Sequence, residues 1–382
     1  MNERPTAARG VVVLVSIILL AGTTFAAPAN WPLWSNYWAK FASADGRIAD
    51  PEEQGRTTSE AQAYGMFFAL VANDREHFAQ LLDWTELNLA EGDLSYHLPA
   101  WVWGARPDGS WGVLDRNSAS DADLWIAYSL IQAGRLWREP SYGSLGRALA
   151  KRIATEEVVE LPGFGTMLLP GNRGFRHGDC YELNPSYVPL EVLSGLAYDI
   201  PEGPWRKIAD NVPNLVQASS RSGFAMDWVT YQPGKGFVPS AGPHEAPVGA
   251  WDAIRVYLWA GMLDKKVRER RVILDALAGM DTYLQHAKAP PMIVSQEGTV
   301  MDPNGGVGFS GALVPYLQAR GSEDLAARQR SRVEAAFDPG IGLYEKKPRY
   351  FDQNLLLFFA GWTGKRFRFP PFGALEVSWS SQ

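Results

Sequence analysis

The chain has 382 residues, with 36 Lys and Arg against 42 Asp and Glu, and one cysteine, Cys180. A single thiol excludes an internal disulfide and a cysteine-based zinc site, and a net charge of −6 lacks the basic excess that nucleic acid or an anionic membrane attracts. The composition is instead rich in aromatics, 15 Trp, 14 Tyr and 17 Phe, whose flat faces either fill a large core or stack on sugar rings.

Residues 1–29 read as a targeting segment. Arg4 and Arg9 give a basic start, residues 11–20 an apolar run too short to cross a bilayer comfortably, and residues 21–29 the small side chains a signal peptidase accepts, with cleavage expected within 26–29 and an uncleaved N-terminal anchor as the alternative. Without Glu3, Arg4 and Arg9, residues 30–382 hold 34 basic and 41 acidic side chains, a net charge of −7 that suits a neutral polymer. No later stretch is apolar enough to span a membrane, so the expectation is an exported protein, periplasmic or secreted. A lone thiol in such a chain points to a bacterial periplasm.

Helical periodicity recurs over 33–43, 58–72, 76–91, 120–137, 141–155, 186–198, 204–219, 251–263, 266–286, 309–320, 324–337 and 350–363. The stretches beginning near 58, 120, 186, 251, 309 and 350 are apolar on nearly every side. Those near 76, 141, 204, 266 and 324 carry a charged face, as with Lys265, Arg268, Arg270 and Arg271. All-round apolar helices are buried and one-faced helices lie at the surface. Six buried helices alternating with six half-exposed ones predict an all-α fold, an (α/α)6 barrel, in one domain over 30–382, with an irregular helical bundle as the alternative. Three long non-helical stretches, 92–118, 158–185 and 220–250, each lead into an inner helix. The last reads as a small β-hairpin insertion turning at Pro233-Gly234-Lys235-Gly236. Long ordered loops in a compact domain are usually functional, and these three gather at one end of the barrel, where a substrate groove is expected.

Three inner-helix starts carry carboxyls. Glu60 enters a helix that is apolar all round. Burial without a cationic partner raises a carboxyl pKa, which keeps a proton available near neutral pH, as a general acid requires. The spacing of Thr57 and Glu60 equally fits a capping box. Asp121 and Asp123 follow Ser120, a good N-cap, and first-turn acids complement the helix dipole, so on composition alone a structural role is favoured there. Asp252 shares a helix face with Arg255. That arginine stabilises the carboxylate anion, the form a general base needs. The apolar neighbours Ile254, Val256, Tyr257, Leu258 and Trp259 argue against a surface ion pair. Cleaving a glycosidic bond takes two carboxyls with different tasks, one protonating the leaving oxygen and one activating water or attacking carbon.

Four motifs in order, Thr58-Ser-Glu-Ala-Gln-Ala-Tyr-Gly-Met, Ser118-Ala-Ser-Asp-Ala-Asp, Asn184-Pro-Ser-Tyr and Trp251-Asp-Ala-Ile-Arg, resemble glycoside hydrolase family 8. The likeness runs from about Trp31 to about Phe369. Leu82-Asp-Trp-Thr, Leu98-Pro-Ala-Trp-Val-Trp-Gly and Met167-Leu-Leu-Pro-Gly are similar to the family's periplasmic cellulases associated with bacterial cellulose synthase. The resemblance implies an (α/α)6 barrel and an endo-β-1,4-glucanase that inverts configuration. It implies Glu60 as general acid, Asp252 as general base, Asp121 as the residue that holds and distorts the sugar at the cleavage point, and Tyr187 and Arg255 lining the site near the base. Relatives often carry Tyr before the base, where this chain has Trp251. The implied partner is a β-1,4-glucan chain, cellulose or cello-oligosaccharide, with a functional association with cellulose synthase machinery and no cofactor. Other members cut mixed-linkage glucan, xylan or chitosan, and a non-catalytic glucan-binding component of an export machine is the alternative from another class. Trp101, Trp103 and Trp111, in the 92–118 stretch, are candidates to stack on glucosyl rings, or else to plug the underside of the loop. His97, His177 and His244 show no metal spacing, so no metal is expected.

Overall fold

The computed structural model describes Met1 and residues 30–238 and 247–381. The expected targeting segment and His244 lie outside the described residues. Thirteen α-helices are found among the described residues: α1 (Pro32–Phe41), α2 (Ser59–Val71), α3 (Arg75–Leu89), α4 (Ser120–Trp137), α5 (Pro140–Glu156), α6 (Leu190–Asp199), α7 (Trp205–Ser219), α8 (Ala253–Met262), α9 (Arg270–Ala276), α10 (Gly279–Leu284), α11 (Val307–Arg320), α12 (Glu323–Ala335) and α13 (Tyr350–Thr363). Two expected helices differ from their periodicity. The 186–198 stretch opens as a 3₁₀ turn, Pro185–Tyr187, because Pro189 lacks an N–H and pushes the residue before it out of the helical region. The 266–286 stretch breaks into α9 and α10, where Gly279 docks against Gly223 and its N–H donates to the Gly223 carbonyl at 3.0 Å.

Helices α2, α4, α6, α8, α11 and α13 pack each against the next, and α13 returns to α2, closing an inner ring. Outside it, α3, α5, α7, α9 and α12 each lie on the inner helix that precedes them, and α1 covers α13 as the sixth outer helix. This is an (α/α)6 barrel. The inner helices are apolar all round because they are covered all round; every residue of α8 is buried. Contact that close needs small residues. A Cβ on Gly261 of α8 would lie 2.3 Å from the Tyr316 nitrogen of α11, so the two helices meet backbone to backbone. The barrel axis is filled by aromatics from four inner helices, with Trp125 centred 4.9 Å from Phe67, 5.5 Å from Phe358 and 5.4 Å from Trp259. Much of the aromatic content is therefore core.

The long loops are held by short antiparallel ladders, which satisfy backbone groups that helices cannot reach. Thr57–Thr58, Val102–Ala105 and Trp111–Asp115 form one sheet, and Val158–Leu161 pairs with Gly165–Leu168. The expected hairpin exists as Val229–Gln232 and Gly236–Val238, but as half of a four-stranded sheet with Arg176–His177 and Cys180–Leu183. The β content is thus larger than one insertion. Arg255 of α8 reaches Asp252, Asp121 of α4 and Tyr64 of α2, and Asp121 acts on Glu60, so the starts of α2, α4 and α8 share one end of the barrel.

Candidate active site

The N-cap of α2 is Thr58, whose hydroxyl accepts from Ala61 N at 3.3 Å. Thr57 is instead a strand residue that donates to the Ile48 carbonyl at 2.7 Å. The capping box between Thr57 and Glu60 therefore does not form, and the Glu60 side chain is free to point outward. Its Oε1 accepts from Trp101 Nε1 at 3.1 Å, and its Oε2 is buried with no partner. Trp101 is itself held on both sides: its N–H donates to Asn117 at 2.7 Å and its carbonyl accepts from Ser59 at 2.9 Å. Burial, then the negative charge of Asp121, outweighs the attraction of Arg255 and pushes the Glu60 carboxyl up from 4.5 to about 7.

Helix α4 begins after Ala119, and Ser120 does not cap it; its hydroxyl is buried without a partner. Asp121 and Asp123 are two residues apart and so project to opposite sides of the helix. Asp121 is 1% exposed, and its Oδ2 accepts from Arg255 Nη1 at 2.7 Å. Asp123 turns inward to Glu157, another buried carboxyl, which accepts from Ser118 Oγ at 2.5 Å. Burial raises both, Glu157 to about 8, so this pair holds a proton between them.

Asp252 stands at the entrance to α8. Its Oδ1 accepts from Arg255 Nη2 at 2.5 Å and its Oδ2 from Asn184 Nδ2 at 2.9 Å. Asn184 is fixed in turn by accepting from the Ser186 N–H at 3.0 Å and hydroxyl at 2.8 Å. Arg255 is 5% exposed. Beyond the two carboxylates, its Nη1 contacts the Tyr64 hydroxyl at 2.9 Å, and its guanidinium lies 5.4 Å from the centre of the Tyr187 ring. One arginine thus ties α2, α4 and α8 together, and its burial is compensated by two carboxylates. The carboxylates converge on a guanidinium, the donor arrangement of an ion-pair network.

Trp101, 40% exposed, stands between two hollows. One, about 610 Å³, is lined by Asp50, Glu53, Arg56, Trp101 and Tyr350. The other, about 670 Å³, is lined by Trp101, Asn117, Phe175, Tyr187 and Trp228, with the Phe175 and Trp228 rings parallel within 4°. Flat faces beside an open groove are the surface a pyranose ring can lie on. Trp103 and Trp111 line neither hollow: they pack on each other at 5.2 Å under the Arg47 guanidinium, and Trp103 also packs on Trp84. Of the three tryptophans singled out from the sequence, Trp101 alone contacts Glu60.

The structure brings together Glu60, Asp121, Tyr187, Asp252 and Arg255. It adds Tyr64, Asn184, Trp228 and Asp227. Tyr64 and Asn184 lie inside the motifs that marked the site and were legible by position. Asp227, in a stretch with no periodicity, left no sequence signal.

The family model for Glycosyl hydrolases family 8 matches residues 10–365. The endoglucanase of Escherichia coli O157:H7 is 42% identical over 97% of both chains. That of Xanthomonas axonopodis pv. citri is 43% identical over 97% of this chain and 94% of its own. The crystal structure of the endo-1,4-D-glucanase from Vibrio fischeri ES114 superposes with a TM-score of 0.85 at 38% identity, covering 92% of this chain and 99% of that one. With its carboxyls gathered around Arg255 inside the ring and motifs matched across nearly the whole length, the chain belongs to glycoside hydrolase family 8.

Proposed function

We propose that this chain is an exported endo-β-1,4-glucanase that hydrolyses cellulose or cello-oligosaccharides with inversion, using Glu60 as general acid and Asp252 as general base. One observation carries the assignment: burial keeps Glu60 protonated toward neutral pH, while Asp252 is gripped by Arg255 and Asn184. Two carboxyls in environments this different take opposite roles. Full-length relatives named endoglucanases support the substrate.

The glucan lies across Trp101. Glu60 gives its proton to the glycosidic oxygen as the C1–O bond breaks. Asp252 takes a proton from a water whose oxygen bonds C1 from the opposite face. Asp252 then releases its proton to solvent and Glu60 takes one up, restoring both groups. Asp121 holds the sugar at the cleavage point, Arg255 keeps Asp121 and Asp252 in fixed relation, and Tyr187, with the aromatic faces of Trp101 and Trp228, binds neighbouring rings.

The same reading places the mature protein, residues 30–382, in the periplasm or outside the cell, in functional association with cellulose synthase machinery. The N-terminal pattern of residues 1–29 supports export, and no helix among the described residues is long and apolar enough to cross a membrane. The test is reducing-end release by the purified mature protein from carboxymethylcellulose, mixed-linkage glucan, xylan and chitosan. The fastest cleavage is expected on a β-1,4-glucan. Faster cleavage of xylan or chitosan, or no release at all, would reject the assignment.

A further inference from the structure

Helix α8 starts with its first N–H groups unsatisfied, as every helix does. An Asp in the Asp252 position ordinarily folds its side chain back on them. Asp252 makes no such cap; its carboxylate is turned outward to Arg255 and Asn184. The cap comes from another part of the chain. Asp227 Oδ1 accepts from the backbone N–H of Ala250 at 2.8 Å, of Asp252 at 3.1 Å and of Ala253 at 2.7 Å. Asp227 is itself fixed: its N–H donates to the Val248 carbonyl at 2.8 Å, and the strand Val229–Gln232 begins two residues later. One oxygen from a sheet-anchored residue therefore holds the backbone on both sides of Asp252.

We propose that Asp227 is the positioning residue of the general base: by capping α8 from outside, it frees the Asp252 carboxylate and fixes its aim at the water that attacks the sugar. This rests on the reading of Asp252 as base. The role belongs to the acceptor oxygen rather than to charge. Burial and the nearby Asp252 push the Asp227 carboxyl up to about 7, against the pull of the backbone N–H groups, so below neutrality a neutral acceptor does the same task. An amide offers that oxygen; a methyl group does not.

The experiment measures kcat and KM on cellohexaose at pH 6 for D227A and D227N, with D252N as control and melting curves for all. D227A is expected to lose about 10- to 100-fold in kcat, the scale of a small misplacement of a reacting group, with KM within about threefold. D227N is expected to keep kcat within about threefold. A D227A enzyme with wild-type kcat, a loss confined to KM, or a folded D227N below a tenth of wild-type kcat overturns the proposal. If D227A does not fold, D227N alone decides by the same threshold. The control separates the two layers: turnover by D252N near the wild-type rate refutes the base assignment itself, whatever the Asp227 variants do.

Discussion

Replacing Glu60 with Gln removes one proton and little else. Gln keeps the shape and an oxygen that accepts from Trp101 Nε1, so glucan affinity is expected to persist. At pH 6 a carboxyl near 7 is roughly 90% protonated, against about 3% for one at 4.5, so burial enlarges the working acid form about 30-fold. General acid catalysis contributes about 10²- to 10⁴-fold, or about 2.7–5.4 kcal/mol of barrier. E60Q should lose that much in kcat on cellohexaose at pH 6, with binding by calorimetry near wild type. An activated aryl cello-oligosaccharide, whose leaving group departs without a proton, should lose far less. In the wild type the rate should fall as pH rises through about 7, and that limb should vanish in E60Q. Cellohexaose turnover within threefold of wild type, or equal losses on both substrates, would refute the acid assignment.

Arg255→Met strands Asp121 in the interior without its cation and should destabilise the fold by about 3–5 kcal/mol in urea melts; a cost under about 1 kcal/mol would show that the network does not need it. Glu191 is 2% exposed with no partner on either oxygen, and burial raises it from 4.5 to about 8. The folded chain keeps that proton where the unfolded chain releases it. Its contribution is therefore full below about 4.5 and lost as pH climbs to about 8, on the order of 5 kcal/mol. Glu191→Gln should flatten the stability profile between those limits, and an unchanged profile contradicts the burial argument. Trp101→Phe keeps a flat face but drops the N–H that stabilises the Glu60 anion, so the alkaline limb of the rate profile should move up by a few tenths of a unit. Gly261→Ala forces a methyl group against the Tyr316 backbone and should cost about 1–3 kcal/mol, read as a lower melting temperature.

The barrel was legible because burial writes itself into composition. A helix such as α8, covered on every side, has no polar face to disguise it, whereas α12 carries charges wherever it meets water. What periodicity missed was set by contacts distant in sequence: the break between α9 and α10 answers to Gly223. The loop ladders are strands of two to five residues, too short to show alternation. At the site, capping patterns misled twice, since neither the Thr57–Glu60 box nor the Ser120 cap forms. The first failed because Thr57 lies in a strand and donates to the Ile48 carbonyl, the second because α4 starts one residue early, leaving Ser120 inside the helix. The Arg255–Asp252 pair was readable from spacing three apart, but its bridge to Asp121 spans 134 positions and only the folded barrel discloses it.

The measurement that bears most directly on the two-carboxyl account is the configuration of the first product, followed by proton NMR during early cleavage of cellohexaose. Water delivered by Asp252 to the face opposite the bond that Glu60 protonates gives a new reducing end in the α form, which then mutarotates. Initial appearance of the β form would mean a covalent intermediate on the enzyme, and Asp252 could not be the base described here.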